Sequence, residues 1–83
     1  MRLNDGIVVT TTDYGGVLLD QRGGTYWQLN DSATVVAIAA AQGYDAGTAV
    51  DRLVAAFAVD RAQAEADVSE LTQQLVDAKL ATP

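Results

Sequence analysis

The chain changes its hydrophobic period once, at Asn30-Asp31-Ser32, and that switch limits the folds open to it. Before it, Ile7-Val8-Val9-Thr10-Thr11-Thr12 is almost wholly β-branched. Such side chains fit a pleated surface and lose rotamer freedom in a helix, so a first strand is expected there. Val17-Leu18-Leu19-Asp20 reads as a second strand and Thr25-Tyr26-Trp27-Gln28-Leu29 as a third. Asp13-Tyr14-Gly15-Gly16 and Gln21-Arg22-Gly23-Gly24 separate them, and both glycine pairs read as tight turns. Links this short favour an antiparallel meander, because parallel neighbours need a crossover of a dozen or more residues.

After the switch the period is helical. Asn30 can cap a first helix over Ala33 to Gln42, with Gly43 as its stop. A second helix is expected from Thr48, with Asp51 three residues on and Val50, Leu53, Val54 and Phe57 on one apolar face. A third is expected from Asp60, with Gln63 at the capping-box position. Its buried stripe is Ala64, Val68, Leu71, Leu75 and Ala78, and Leu80 packs as the helix ends. The fold class is therefore α+β: a three-stranded antiparallel meander followed by three helices, similar to a winged helix-turn-helix. With no repeat or linker in view, residues 1–83 are expected to form one domain.

A chain of 83 residues buries roughly 60% of its unfolded surface, which leaves a thin core and no room for a large enclosed cavity. There is no Cys for disulfide or thiol chemistry, and no His as general base or metal ligand. The acids are scattered without calcium-loop spacing, and neither glycine pair has the surroundings of a phosphate loop. Asp67 and Glu70 stand one turn apart, a spacing far commoner for solvated charge than for a catalytic pair. Neither an enzyme nor a bound cofactor or metal is expected. Eleven acidic residues against five basic ones, a net charge of −6, oppose nucleic-acid and anionic-membrane binding. The N-terminus lacks a signal-peptide pattern and no apolar run reaches membrane-spanning length, so a cytoplasmic location is the expectation.

The third strand stands out. Alternation puts Trp27 and Leu29 on one face, expected against the helices, and Tyr26 and Gln28 on the other. For Tyr26, completing the core and lying open are both compatible with the pattern. In a meander this strand is an outer one, and it carries neither charge nor Pro. Edge strands are normally protected in that way, so a bare edge points to pairing with an added peptide strand. On the third helix, Asp67 and Gln74 lie about 40–60° to one side of Leu71, with Glu70 further round. An apolar floor with an acidic rim would suit an extended peptide with apolar anchors and some Lys or Arg.

The run Leu18-Leu19-Asp20 through Tyr26-Trp27-Gln28-Leu29-Asn30, followed by Asp67-Val68, Leu71 and Leu75, resembles a known family. It is similar to the peptide-recognition domains of ribosomal peptide biosynthesis, the RiPP recognition elements typified by pyrroloquinoline quinone biosynthesis protein D. The likeness spans about residues 5 to 81, and is greatest to the stand-alone recognition protein of lasso peptide clusters. It implies that the leader of a precursor peptide adds as a strand beside Tyr26, Trp27, Gln28 and Leu29. Asp67, Glu70, Leu71 and Gln74 would then form the helix wall. It also implies presentation to a leader peptidase, a transglutaminase-like cysteine protease, and passage of the core peptide to an ATP-dependent macrocyclase. Two departures stand out. Val36-Ala37-Ile38 replaces an aromatic frequent late in the first helix, with a consequence for pocket depth, and Lys79-Leu80 replaces a frequent Gly-Leu. Two other readings are a precursor chaperone for a radical SAM maturase and a winged-helix DNA-binding protein. The scarcity of basic residues on the last two helices (Arg52, Arg61 and Lys79) weighs against the second.

Overall fold

A computed structural model describes residues 1–83. The elements run β1 (Arg2–Leu3), β2 (Ile7–Thr12), β3 (Gly15–Asp20), β4 (Tyr26–Leu29), α1 (Asp31–Ala41), α2 (Ala46–Phe57), α3 (Arg61–Asp77) and β5 (Ala81–Thr82). β2, β3 and β4 form the expected antiparallel meander in that order, followed by the three helices. The sequence reading contained no second sheet. Here β1 pairs antiparallel with β5, Arg2 opposite Thr82 and Leu3 opposite Ala81. Asn4 extends this clasp, its N–H donating to the Leu80 carbonyl at 2.9 Å and its side-chain amide to the Lys79 carbonyl at 2.9 Å. Two-residue strands have no period to read, so only the folded chain reveals them.

Helix starts follow local hydrogen bonding. Asn30 caps α1 as expected, its Oδ1 accepting from the Ala33 N–H at 2.8 Å. α2 begins before the expected Thr48, because Asp45 accepts from the Thr48 N–H at 2.8 Å. That bond, with a contribution from the Thr48 side chain, holds the Asp45 carboxyl below its ordinary pKa. Asp51, expected in the cap, instead accepts from Arg61 at 2.7 Å. Asp60 caps α3 through the Gln63 N–H, while the Gln63 side chain turns away to Asp67.

Two core clusters meet at α1. Val36 and Ala39 join Ala49, Val50 and Leu53 of α2 and Ala64 and Val68 of α3. Ala37 faces the other way, onto Leu18, Leu75, Leu80 and Ala81. A helix buried on two sides between close neighbours needs small residues, which accounts for the alanines of α1. Leu80 is buried as expected. Phe57 and Ala78, expected on buried faces, are exposed. Phe57 is the last residue of α2 and Ala78 the C-cap of α3, so both stand where a helix ends.

The turn reading holds for Gly23-Gly24 but not for Gly15-Gly16. The β2–β3 reversal needs only Asp13 and Tyr14, and both glycines lie in β3. Gly16 is there because a Cβ at that position would collide with the side chain of Thr34 on α1. α1 thus packs closer to the sheet than any side chain would permit.

The Lys79 departure also has a structural meaning. At the end of α3 the Leu80 N–H bonds the Leu75 carbonyl and the Lys79 N–H the Val76 carbonyl. This is a Schellman motif with Lys79 at its left-handed position, φ 64. The end of α1 has the same pair of bonds, with Gly43 at φ 82 in that place. Lys79→Gly is expected to stabilise the fold by about 0.5–1 kcal/mol, the left-handed cost removed less the added entropy of an unfolded glycine. Chemical denaturation measures it, and a loss of stability would show that Lys79 is held by something other than this cap.

Candidate functional site

β4 pairs with β3 alone, so its other edge is open. The pairing sets Leu19 opposite Tyr26, Leu18 opposite Trp27, Val17 opposite Gln28 and Gly16 opposite Leu29. The Asp20 N–H donates to the Thr25 carbonyl at 2.9 Å, which makes Asp20–Thr25 a hydrogen-bonded pair. Such pairs alternate along an antiparallel ladder. Trp27 and Leu29 therefore bond inward to β3, and the N–H and C=O of Tyr26 and Gln28 face the open edge.

Side chains alternate across the other axis. Trp27 and Leu29 are half-buried against the cluster that contains Leu18, Leu75 and Leu80. Tyr26 is 66% exposed, on the face turned away from the helices, in one row with Leu19 and Val8. Of the two positions the sequence allowed for Tyr26, the structure takes the open one.

A hollow of about 270 Å³ lies where β4 runs into α1. Val36, Leu53 and Leu71 contribute its apolar lining. Asn30, Ser32 and Ala33 bound it on the strand side, and Asp67, Glu70 and Gln74 on the α3 side. The four α3 residues singled out from sequence thus share one hollow, and the Asp67–Gln74 side of α3 is the side turned to the end of β4. The four β4 residues lie beside it without lining it; Trp27, Leu29 and Leu71 all pack against the cluster of Leu18 and Leu75, and Leu71 packs against the other cluster as well. Asn30, Ser32, Ala33, Val36 and Leu53 were not among the sequence candidates. Asn30 carried only a capping signal; Val36 belongs to the Val36-Ala37-Ile38 segment for which the sequence pointed to a consequence for pocket depth, and it lines this hollow. A larger hollow of about 480 Å³ flanks α3 elsewhere, among residues such as Gly47, Arg61 and Thr72, and touches no open strand.

The rim is negative. Asp67 is half-buried and accepts from Gln63 Nε2 at 2.9 Å; Glu70 is exposed. The two ion pairs of the structure tie Arg61 to Asp51 and Glu65, away from the hollow. Arg52 bonds Gln42 and stacks over Tyr44, 4.4 Å from the ring centroid. No cation faces Asp67 or Glu70. No three His, Cys, Asp or Glu side chains cluster as a metal site would require, and no helix is long and apolar enough to cross a membrane. The chemistry available is recognition: strand bonding groups, an apolar floor and carboxylates without a counter-charge.

Comparison with known proteins gives a consistent result. The family model for coenzyme PQQ synthesis protein D (PqqD) matches residues 15–81. A solved lasso peptide synthetase B1 complexed with the leader peptide is 39% identical, with a TM-score of 0.81, over 99% of this chain and 96% of that one. TbiB1 in complex with the TbiA(beta) leader peptide is 27% identical, with a TM-score of 0.84, over 98% and 94%. No curated protein matches.

Proposed function

The chain belongs to the coenzyme PQQ synthesis protein D family, as a PqqD-like RiPP recognition element, and from that premise we propose that it binds the leader of a ribosomally made precursor in lasso peptide biosynthesis. The leader adds as a strand along β4, its flank crossing the hollow under α3. The observation that carries this reading is the uncharged open edge of β4 beside a hollow whose carboxylates lack a cationic partner. Strand addition supplies affinity through the backbone, and the floor and rim select side chains. The protein itself does no chemistry. It holds the precursor for a leader peptidase, after which the core passes to the macrocyclase. Titration of a fluorescein-labelled synthetic leader, followed by anisotropy, tests the proposal; no binding at tens of micromolar would sink it.

The rim has its own test. With Asp67→Asn and Glu70→Gln combined, binding is expected to weaken by about three- to tenfold, since partly exposed charge pairs contribute roughly 0.2–1 kcal/mol each. The salt dependence of binding should flatten in the same variant. An unchanged salt slope would mean that the carboxylates do not face the peptide.

A further inference from the structure

Asn30 serves the fold through its oxygens. Its Oδ1 accepts from the Ala33 N–H at 2.8 Å. Its carbonyl accepts from the Thr34 N–H at 2.9 Å and from the Thr34 hydroxyl at 2.8 Å. The side-chain Nδ2 donates to no group of the protein, and the residue borders the hollow where β4 ends. Taking leader binding at this site as given, we infer that Asn30 is a further leader-contacting residue. Its Nδ2 donates to a neutral carbonyl oxygen of the leader as the peptide crosses the hollow.

The direction of that donor is set by the cap. The Ala33 N–H can only donate, so the carboxamide must turn its oxygen to it and its NH2 away. The backbone on which the side chain stands is held by two bonds from Thr34, itself buried. The NH2 is therefore in place before a peptide arrives, and ordering it costs little on binding.

The other two helices give an internal comparison. α2 and α3 are capped by Asp45 and Asp60 through the same bond to the third residue on, at 2.8 Å in each case, and neither acid lines this hollow. Aspartate caps as well as asparagine and suits the positive helix end better, so the cap alone does not call for an amide at position 30. What asparagine adds there is a donor. Asp67 and Glu70 stand on the α3 side of the same hollow without a cationic partner. They take donors and cations from the peptide, and Asn30 takes an oxygen. Repulsion from the two carboxylates excludes an acidic side chain, so the oxygen is neutral: a main-chain carbonyl, or the side-chain carbonyl of an Asn or Gln.

The test uses two substitutions that keep the cap and remove the donor. Serine and aspartate are both good caps, so Asn30→Ser and Asn30→Asp are expected to melt as the wild-type protein does, followed by circular dichroism. Binding of the fluorescein-labelled synthetic leader, followed by anisotropy, is expected to weaken about three- to tenfold in Asn30→Ser, the worth of one hydrogen bond. Asn30→Asp should weaken it at least as far, because a carboxylate then faces the leader's oxygen. Undiminished binding by Asn30→Ser overturns the inference. So does tighter binding by Asn30→Asp, which would place a cation at this point. NMR of the 15N-labelled wild-type protein gives a readout that no change in stability can mimic. The side-chain NH2 signals that Asn30→Ser lacks should shift when the leader is added, one proton moving downfield, and an unmoved pair overturns the contact. An alanine scan of the leader locates the acceptor. A deficit of Asn30→Ser that vanishes against one alanine variant assigns a side-chain carbonyl, and a deficit that persists at every position assigns the main chain. Failure of the wild-type protein to bind the leader overturns the leader-binding reading itself, whereas normal wild-type binding with an unaffected Asn30→Ser overturns the donor alone.

Discussion

Gln28→Pro is expected to weaken leader binding more than tenfold while leaving the fold standing. Proline removes a backbone donor, and the donor at Gln28 points out of the sheet, so no bond to β3 is lost. Edge strands tolerate proline with its nitrogen towards solvent, and the preceding Trp27 is already extended, as a residue before proline must be. The Gln28 side chain is exposed, so no packing is given up. The bound state loses one hydrogen bond of roughly 1 kcal/mol, and the ring also stands where the peptide backbone would approach. Trp27→Pro is the contrast. It removes an inward bond and a half-buried indole, and should cost about 3 kcal/mol or more, a large part of the stability of a small domain. Anisotropy with the labelled leader and thermal melts by circular dichroism separate the two effects. Normal binding by a folded Gln28→Pro variant would move the leader off this edge.

Gly16→Ala is expected to destabilise the protein by about 2 kcal/mol, the middle of the range for overpacking a tight contact. The new methyl would overlap Thr34, whose hydroxyl donates to the Asn30 carbonyl at 2.8 Å and cannot swing aside without losing that bond. Thr34 is 8% exposed, so the strain has no outlet to solvent. Gly16 pairs with Leu29, and Asn30 borders the hollow, so the displacement reaches the proposed site as well as the core. Adding Thr34→Ala should recover part of the loss, because residues in contact do not act independently. Urea denaturation of the four proteins measures the coupling. Strictly additive losses would remove the Gly16–Thr34 contact as the cause.

These positions also mark how far the residues could be read without the fold. Strand β2 was legible to its last residue because β-branched side chains state their preference locally. The cap at Asn30 was legible because a capping bond spans only a few residues. The start of α2 was not, since Asp45 and Thr48 both offer acceptable caps, and only the folded chain shows the Asp45 side chain taking the Thr48 N–H. Gly16 misled for a related reason. A glycine needed for close approach looks, in a sequence, like a glycine needed for a turn, and Thr34 lies too far along the chain to reveal the difference.

The α3 residues illustrate the same limit at the site. Asp67, Glu70, Leu71 and Gln74 could be placed on neighbouring parts of one helix from their spacing alone. Which side of α3 meets the strand depends on how α1 and α2 seat it, and on the β1–β5 clasp behind its end.

The sequence by itself determined the order of the three meander strands and three helices, the alternation of Trp27 and Leu29 against Tyr26 and Gln28, the bare edge and the absence of His and Cys. All of these follow from local period and composition. Only the tertiary structure decided that Tyr26 lies open, that its amide and that of Gln28 face outward, and that the acids of α3 share a hollow with Asn30. Hydrogen-bond phase and the meeting of distant faces depend on which residues stand opposite one another, and opposition exists only once the chain has packed.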